Sequence, residues 1–250
     1  FTVYNQQVDG LLLQVEEAPS TGFSSKWANA GSMKTDGVEL GVTLNPVRSK
    51  AFNWLSKTTF YTSKAEITEL KVDPYNTGGF ATFLGAYRIE KGWDPHTIVG
   101  AELDENGKHV KLGSETPDFM MGFNNRVSFG DVSVVAHFDW KKGGQNVNLQ
   151  ELIADLGGTT YDFDDKGVDP EGKLNNGPYR LANLGSITTP YVQDAGYFRL
   201  SELSVMYSLP KSMLGSANVE RVQVGFTGRN LYQNTPYNGW NPDVSQFGNV

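Results

Sequence analysis

The stretch "DFDDKGVDPEGK" at 162–173 gathers Asp162, Asp164, Asp165, Asp169 and Glu171, the kind of oxygen donors from which a calcium loop is built. Against the calcium-loop pattern Asp162, Asp164 and Gly167 fit. Lys166 takes the fifth position and Lys173 the twelfth, where oxygen ligands are required, so the stretch reads as a solvated acidic loop. His96, His109 and His137 show no H-E-x-x-H or comparable metal spacing. No Gly-x-Ser-x-Gly elbow, phosphate-cradling loop or dinucleotide fingerprint occurs. The absence of cysteine removes thiol catalysis, disulfides and Cys-based zinc sites. Carboxylates are plentiful, but a glycosidase pair is defined by separation in space, which a sequence does not give. Neither an enzyme nor a cofactor is expected.

Aromatic side chains carry the remaining chemistry. Trp27, Tyr87, Trp93, Tyr161, Tyr179, Tyr237 and Trp240 all lie outside the core strand segments. Aromatics so placed pack loops or form a membrane-interface girdle. They also stack on a sugar or peptide, or against a partner protein. Trp93, Tyr237 and Trp240 are the candidate ligand contacts.

The elements that must position these residues read as strands. In "SELSVMYSL" Leu203, Val205, Tyr207 and Leu209 alternate with Glu202, Ser204 and Ser208, Met206 being the exception. "VELGVTL" sets Val38, Leu40, Val42 and Leu44 against Glu39, Gly41 and Thr43. In "FMMGFNNRVSF" Phe119, Met121, Phe123, Val127 and Phe129 share one parity, with Met120 and Asn125 out of pattern. After Gly130 the parity switches, as a tight hairpin requires, to Val132, Val134, Ala136, Phe138 and Trp140. Val222, Val224 and Phe226 end the series, and residues 2–13 and 52–63 form two strands without clean alternation. These strands are about ten residues long, the span a tilted strand needs to cross a bilayer. No run approaches the roughly 18 apolar residues of a transmembrane helix. A net charge of −7 lacks the basic balance of a nucleic-acid binder.

The connections alternate in length. Residues 14–33, 64–117 and 142–195 are long, whereas 46–51, the turn at Gly130 and 210–218 are short. Long loops are uncommon in compact domains, yet outer-membrane barrels place them at every second connection, outside the cell. The rhythm predicts an all-β, antiparallel up-and-down transmembrane barrel wall of about seven strands. Within the loops "IVGAELDENGKHVKLG" predicts a hairpin turning at Asn106-Gly107, and "NVNLQELIADLGG" a short helix stopped by Gly157-Gly158. The competing reading is a soluble β-sandwich, either a carbohydrate-binding module or a glycan-active enzyme domain.

Four segments in register resemble the SusC/RagA-type TonB-dependent outer-membrane transporters of Bacteroidota. "YFRLSELSVMYSLP" is similar to the family's near-terminal strand, and "VQVGFTGRNLYQNTPYNGWNPDVSQFG" to the strand and loop after it. "NAGSMKTDGVELGVTLNPV" and "TPDFMMGFNNRVSF" match two earlier segments in the family's order. Ser201-Glu202 stands where Lys-Asn is usual, and Asp243 where Glu is commoner. The resemblance implies that residues 1–250 are the C-terminal portion of a plugged barrel of about 22 strands, without the plug and N-terminal regions. It implies a multi-pass β-barrel in the cell outer membrane that takes up a bulky oligosaccharide or peptide. The implied partners are a SusD-like surface lipoprotein, TonB acting through the N-terminal region, and the lipid bilayer.

Overall fold

The computed structural model describes residues 1–214 and 221–243. In chain order it begins with β1 (Thr2–Glu16), β2 (Ser25–Arg48) and β3 (Phe52–Leu70). Four short strands follow: β4 (Tyr75–Thr77), β5 (Ala86–Ile89), β6 (Thr97–Val99) and β7 (Gly113–Ser114). Then come β8 (Phe119–Phe129), β9 (Val132–Lys142), β10 (Gln145–Val147), β11 (Val192–Asp194), β12 (Tyr197–Ser208) and β13 (Gln223–Asn234). Helices α1 (Leu149–Leu156) and α2 (Asn176–Ala182) lie between β10 and β11.

Seven strands make one antiparallel meander, ordered β1-β2-β3-β8-β9-β12-β13, so the first and last lie at its two margins. Residues paired across an antiparallel ladder share a face, so the register sorts every side chain. One row runs Leu40, Phe60, Met121, Trp140, Phe198 across five strands. A second runs Phe52, Phe129, Val132, Tyr207, Val224. Between them lie Val127, Val134, Val205 and Phe226, paired in sequence across four strands. This apolar face is not a core: Val205 is 43% exposed, Val224 55% and Phe226 84%. Its aromatics concentrate at the two ends. Phe119 packs edge-on against Trp140 at 5.0 Å and lies 5.7 Å from Phe60, while Phe138 stacks on Phe198 at 5.7 Å. Phe119 to Phe129 is roughly 33 Å along a strand, or about 25 Å of height at a tilt near 40°, the apolar band of a transmembrane barrel between its aromatic girdles. Asn125, out of pattern on this face, is satisfied by the Trp54 indole N–H at 3.1 Å.

The opposite face is polar. Thr43, Lys57, Asn124, His137, Glu202 and Arg229 form a single row across six strands. Ser204 is 3% exposed there, bonded to Thr227 at 2.9 Å and to Glu202 at 3.1 Å. Met206, the exception in its strand, shares this face with Ser133. A soluble sandwich would bury the apolar face against a second sheet; here it stays open.

The first long connection is corrected. Residues 14–33 are mostly strand: β1 and β2 pair from Thr2↔Glu39 up to Glu16↔Ser25, leaving only 17–24 as the turn. The alternation fails there for two physical reasons. Gly10, at φ +67°, makes a bulge between Asp9 and Leu11 that flips the facing beyond it. The hairpin also stands beyond the apolar band, and partners such as Asn5–Asp36 and Gln7–Lys34 are polar on the face that is apolar below. β3 likewise runs on to Leu70, so the connection expected at 64–117 is residues 71–118. The connection at 142–195 holds as 143–196 and the short one at 46–51 as 49–51, and Gly130 turns with φ +54°. Residues 215–218 of the last short connection, and "VSQFG" at 244–248, lie outside the described residues.

Candidate functional site

The two long connections fold onto each other at one end of the sheet. β10 and β11 pair across the base of the second, Gln145↔Asp194 through Val147↔Val192. The first carries a four-stranded sheet, β4-β5-β6-β7. Tyr87 and Ile98 from the first pack with Val147, Leu149, Leu152 and Tyr191 from the second as one buried cluster. Glu102 accepts the Thr188 and Thr189 backbone N–H groups at 2.7 and 2.8 Å and the Thr189 hydroxyl at 2.7 Å. The Thr188 hydroxyl in turn donates to the Phe83 carbonyl at 2.9 Å. Together these contacts make a lobe with its own interior.

The predicted helix forms as α1. The Asn148 side chain caps it by accepting the Glu151 N–H at 3.1 Å. Of the four residues at helical spacing, Leu149 and Leu152 are buried, whereas Ile153 and Leu156 are 69% and 66% exposed. The predicted turn at Asn106-Gly107 closes through the Leu103↔His109 bridge.

The lobe's second interior element is charged. Arg180 on α2 is 2% exposed and donates to Asp155 at 2.6 and 2.7 Å and to Asp162 at 2.8 and 3.0 Å. Tyr191 donates to Asp155 at 3.1 Å, and Glu151 lies 3.7 Å from the guanidinium. Hydrogen bonding to Arg180 holds the Asp162 carboxyl below its ordinary range. Burial pushes Glu151 up to about 7 against the pull of Arg180, with the Asp162 and Asp155 charges adding to the rise. Asp162, read from sequence as part of a solvated loop, is therefore an internal ligand of Arg180. Asp169 is also occupied, accepting the backbone N–H groups of Glu171, Lys173 and Leu174 at 2.8–2.9 Å. Among the described residues no three His, Asp or Glu side chains are grouped to hold a metal ion.

Gln193 links this interior to the segment after β13. Its amide donates to Glu151, and its oxygen accepts from Asn148 at 3.1 Å and from the Asn238 N–H at 3.0 Å. Gln150 accepts the Trp240 N–H at 2.9 Å. Arg199 holds the far end of the segment, bonding Asn241 at 3.3 Å and Asp243 at 2.7 Å while stacking on Tyr197 at 4.3 Å. Trp240 is thus fixed by its backbone with its ring 91% exposed, a geometry suited to stacking. Tyr237, three residues earlier, is turned inward at 4% exposure, its hydroxyl without a hydrogen-bond partner among the described residues. Burial pushes that phenol up to about 12, the Glu151 charge adding. Trp93 belongs to the other connection, half-buried, with the Lys111 ammonium 4.3 Å above its ring. Tyr237 and Trp240 thus share one segment against α1; Trp93 stands apart.

On the polar face of the sheet Asp139 bonds both Ser201 and, at 3.1 Å, His137. Nucleophilic activation needs the imidazole between the hydroxyl and the carboxylate. Here the carboxylate is in the middle, so Ser201 has no base. Arg180 and its carboxylates were missed from sequence because Asp155, Asp162 and Arg180 are far apart in the chain. The one available signal was an acidic loop preceding a lone arginine.

Comparison with known proteins agrees with this geometry. No protein-family model matches the chain. It is 25% identical over 288 aligned residues to "TonB-dependent receptor P3" of Formosa agariphila, covering 98% of this chain and 28% of that protein. It is 27% identical over 290 aligned residues to "TonB-dependent receptor P26" of the same organism, covering 98% of this chain and 29% of that one. Among solved structures, that of the RagAB peptide transporter aligns with a TM-score of 0.71 at 21% identity, over 96% of this chain and 30% of the other. The RagAB peptide importer in its closed-closed state aligns with a TM-score of 0.70. The chain therefore spans under a third of the length of these relatives.

Proposed function

We propose that this chain is part of a TonB-dependent receptor of the SusC/RagA type, the proteins it is similar to, and that residues 1–250 form the C-terminal wall of an outer-membrane barrel that imports a bulky nutrient. The observation that carries this is the seven-strand sheet with a hydrocarbon-compatible band on one face and a charged row on the other. The long connections face outward, where Trp240 and Trp93 offer aromatic surface to an oligosaccharide or peptide. A SusD-like surface lipoprotein closes over that side, and TonB energises release through the receptor's N-terminal region. The neighbouring structures of a peptide transporter and importer support a transporter of this kind.

Orientation is tested in intact cells. Residues 1–250 contain no cysteine, so single cysteines at Asn106, Lys173 and Ser212 are read against the unsubstituted receptor as the blank. Asn106 and Lys173 should react with an impermeant maleimide while Ser212 stays protected. The reverse pattern overturns the orientation. For transport, uptake of labelled ligand should cease on deletion of the receptor gene and on collapse of the proton-motive force; uptake that survives both refutes the function.

A further inference from the structure

β3 leaves the main sheet before its neighbour does. Its last partner on β2 is Gly31, opposite Leu70, followed by one bond of 2.8 Å from the Lys71 N–H to the Ala30 carbonyl. β2 extends beyond that point, its residues 25–29 paired only to β1. Among the described residues, the other edge of that stretch has no strand against it. The chain then turns into β4, the outermost strand of its own sheet, paired to β5 alone. Both unpaired edges border one cleft of ≈ 1470 Å³, lined by Ser25–Trp27 on one side and Tyr75–Thr77 on the other.

An unpaired edge presents N–H and C=O groups at a spacing of about 3.3 Å per residue and templates another extended chain. Two such edges on one cleft call for an occupant with complementary groups along both of its own sides. A polypeptide strand has them and a sugar chain does not. Leu12, Trp27 and Tyr75 supply apolar surface for alternate side chains. Charge in the cleft is balanced, Lys26 and Lys71 against Glu17 and Asp73. Lys26 is paired with Glu17, and the Lys71 charge acts on Asp9 of β1.

We infer that this cleft binds a free oligopeptide of about five residues as an added strand between β2 and β4, since about five edge positions at 3.3 Å span roughly 16 Å. Its backbone pairs with both edges. The inference rests on the proposed uptake function for its purpose, but binding itself requires neither TonB nor a partner.

The test uses the full-length receptor purified in detergent, with the pentapeptide Ala-Val-Phe-Val-Ala and its counterpart N-methylated at the second and fourth residues, by calorimetry. Methylation should weaken binding at least tenfold, as should Trp27→Ala. Trp27 is 68% exposed, so its truncation leaves the fold intact. Tyr75→Ala should weaken binding severalfold, and maltopentaose should not compete. Equal affinity for the methylated peptide, unchanged binding by both variants, or full competition by maltopentaose overturns the inference. So does a benzoylphenylalanine at position 27 that crosslinks, without peptide, to another segment of the receptor's own chain, because the cleft would then already be filled. Peptide binding without energised uptake refutes the transport reading and leaves the cleft; uptake without this binding does the opposite.

Discussion

The sheet and the lobe above it are stabilised by opposite means. The sheet buries little apolar surface along its band among the described residues: Val205, Val224 and Phe226 are exposed on one side, and Lys57, His137 and Glu202 line the other. Its apolar face gains only when hydrocarbon replaces water, and its two margins gain only from further pairing. The lobe carries its interior with it. Ile98 and Val147 are 0% exposed, and Arg180 is satisfied wholly by side chains of the same connection. One region is folded by its surroundings, the other by itself. Damage to one should therefore leave the other standing.

The sharpest break is at Arg180. Arg180→Met leaves Asp155 and Asp162 buried without their counter-charge, and removing one partner of such a pair costs about 3–5 kcal/mol. Amide exchange in residues 145–195 of the full-length receptor should rise by orders of magnitude, while heat-modifiable migration of the barrel is kept. Loss of both together would show that the lobe and the sheet are one folding unit.

Next in size is a charge on the hydrocarbon side. Val205→Arg places a cation against lipid near the middle of the band, at about 2–4 kcal/mol. Its neighbour Met206 lies on the polar face beside Ser133, so Met206→Arg should assemble normally. Ser204 is the poorer control despite its polarity, because at 3% exposure it has no room for a longer side chain. Equal membrane yields for the Val205 and Met206 variants would mean that the facing is wrong.

What was legible in the sequence divides along the same line. The sheet could be read because a two-faced strand writes its surroundings at a period of two. Leu203, Val205 and Tyr207, and Val132, Val134 and Phe138, fall on the face their alternation assigns. Alternation failed where the surroundings are the same on both faces, as in the β1–β2 hairpin above the band, and where the Gly10 bulge shifts the count. The lobe was legible only where its signals are local. Asn148 before "LQELIADL" and Gly157 after it mark a helix, but an acidic loop ahead of a lone arginine does not say that Asp162 and Arg180 are partners. The aromatics were found by type, yet type could not separate Trp240, ring outward, from Tyr237, ring inward.

A smaller effect separates the regions by pH. Glu151 titrates near 4.5 when free and at about 7 in the lobe, raised by burial. The folded lobe therefore holds a proton that the unfolded chain gives up. The stability this contributes is complete below about 4.5 and is lost as pH rises through 7. Arg180, Asp155, Asp162, Gln193 and Tyr237 are the groups that surround or sense it. Protection factors in the lobe, that is, exchange corrected for the intrinsic base-catalysed rate at each pH, should be lower at pH 8 than at pH 5, with those of the sheet unchanged. Glu151→Gln should flatten the difference; a slope that survives in this variant assigns the proton elsewhere.

The smallest effect tests how the lobe's interior reaches Trp240. Asn148 is 0% exposed and does two things: its oxygen caps α1 at the Glu151 N–H, and its amide donates to the Gln193 oxygen. Asn148→Ala removes both. Loss of an N-cap costs about 1 kcal/mol, too little to unfold a lobe that keeps Arg180 and the Ile98–Val147 cluster. Asn148→Asp keeps the cap but sets a carboxylate oxygen where the amide donated to Gln193. If the cap alone matters, the Asp variant should match the parent in amide exchange of α1. If Gln193 is what seats the 235–243 segment, both variants should raise exchange at Asn238 and Trp240. The Trp240 N–H bond to Gln150 comes from α1 itself, so a frayed first turn would loosen it only in the Ala variant. Exchange at Asn238 that rises in neither would mean that Arg199 and Asp243 hold the segment on the sheet's account alone, making Trp240 part of the sheet's world and not the lobe's.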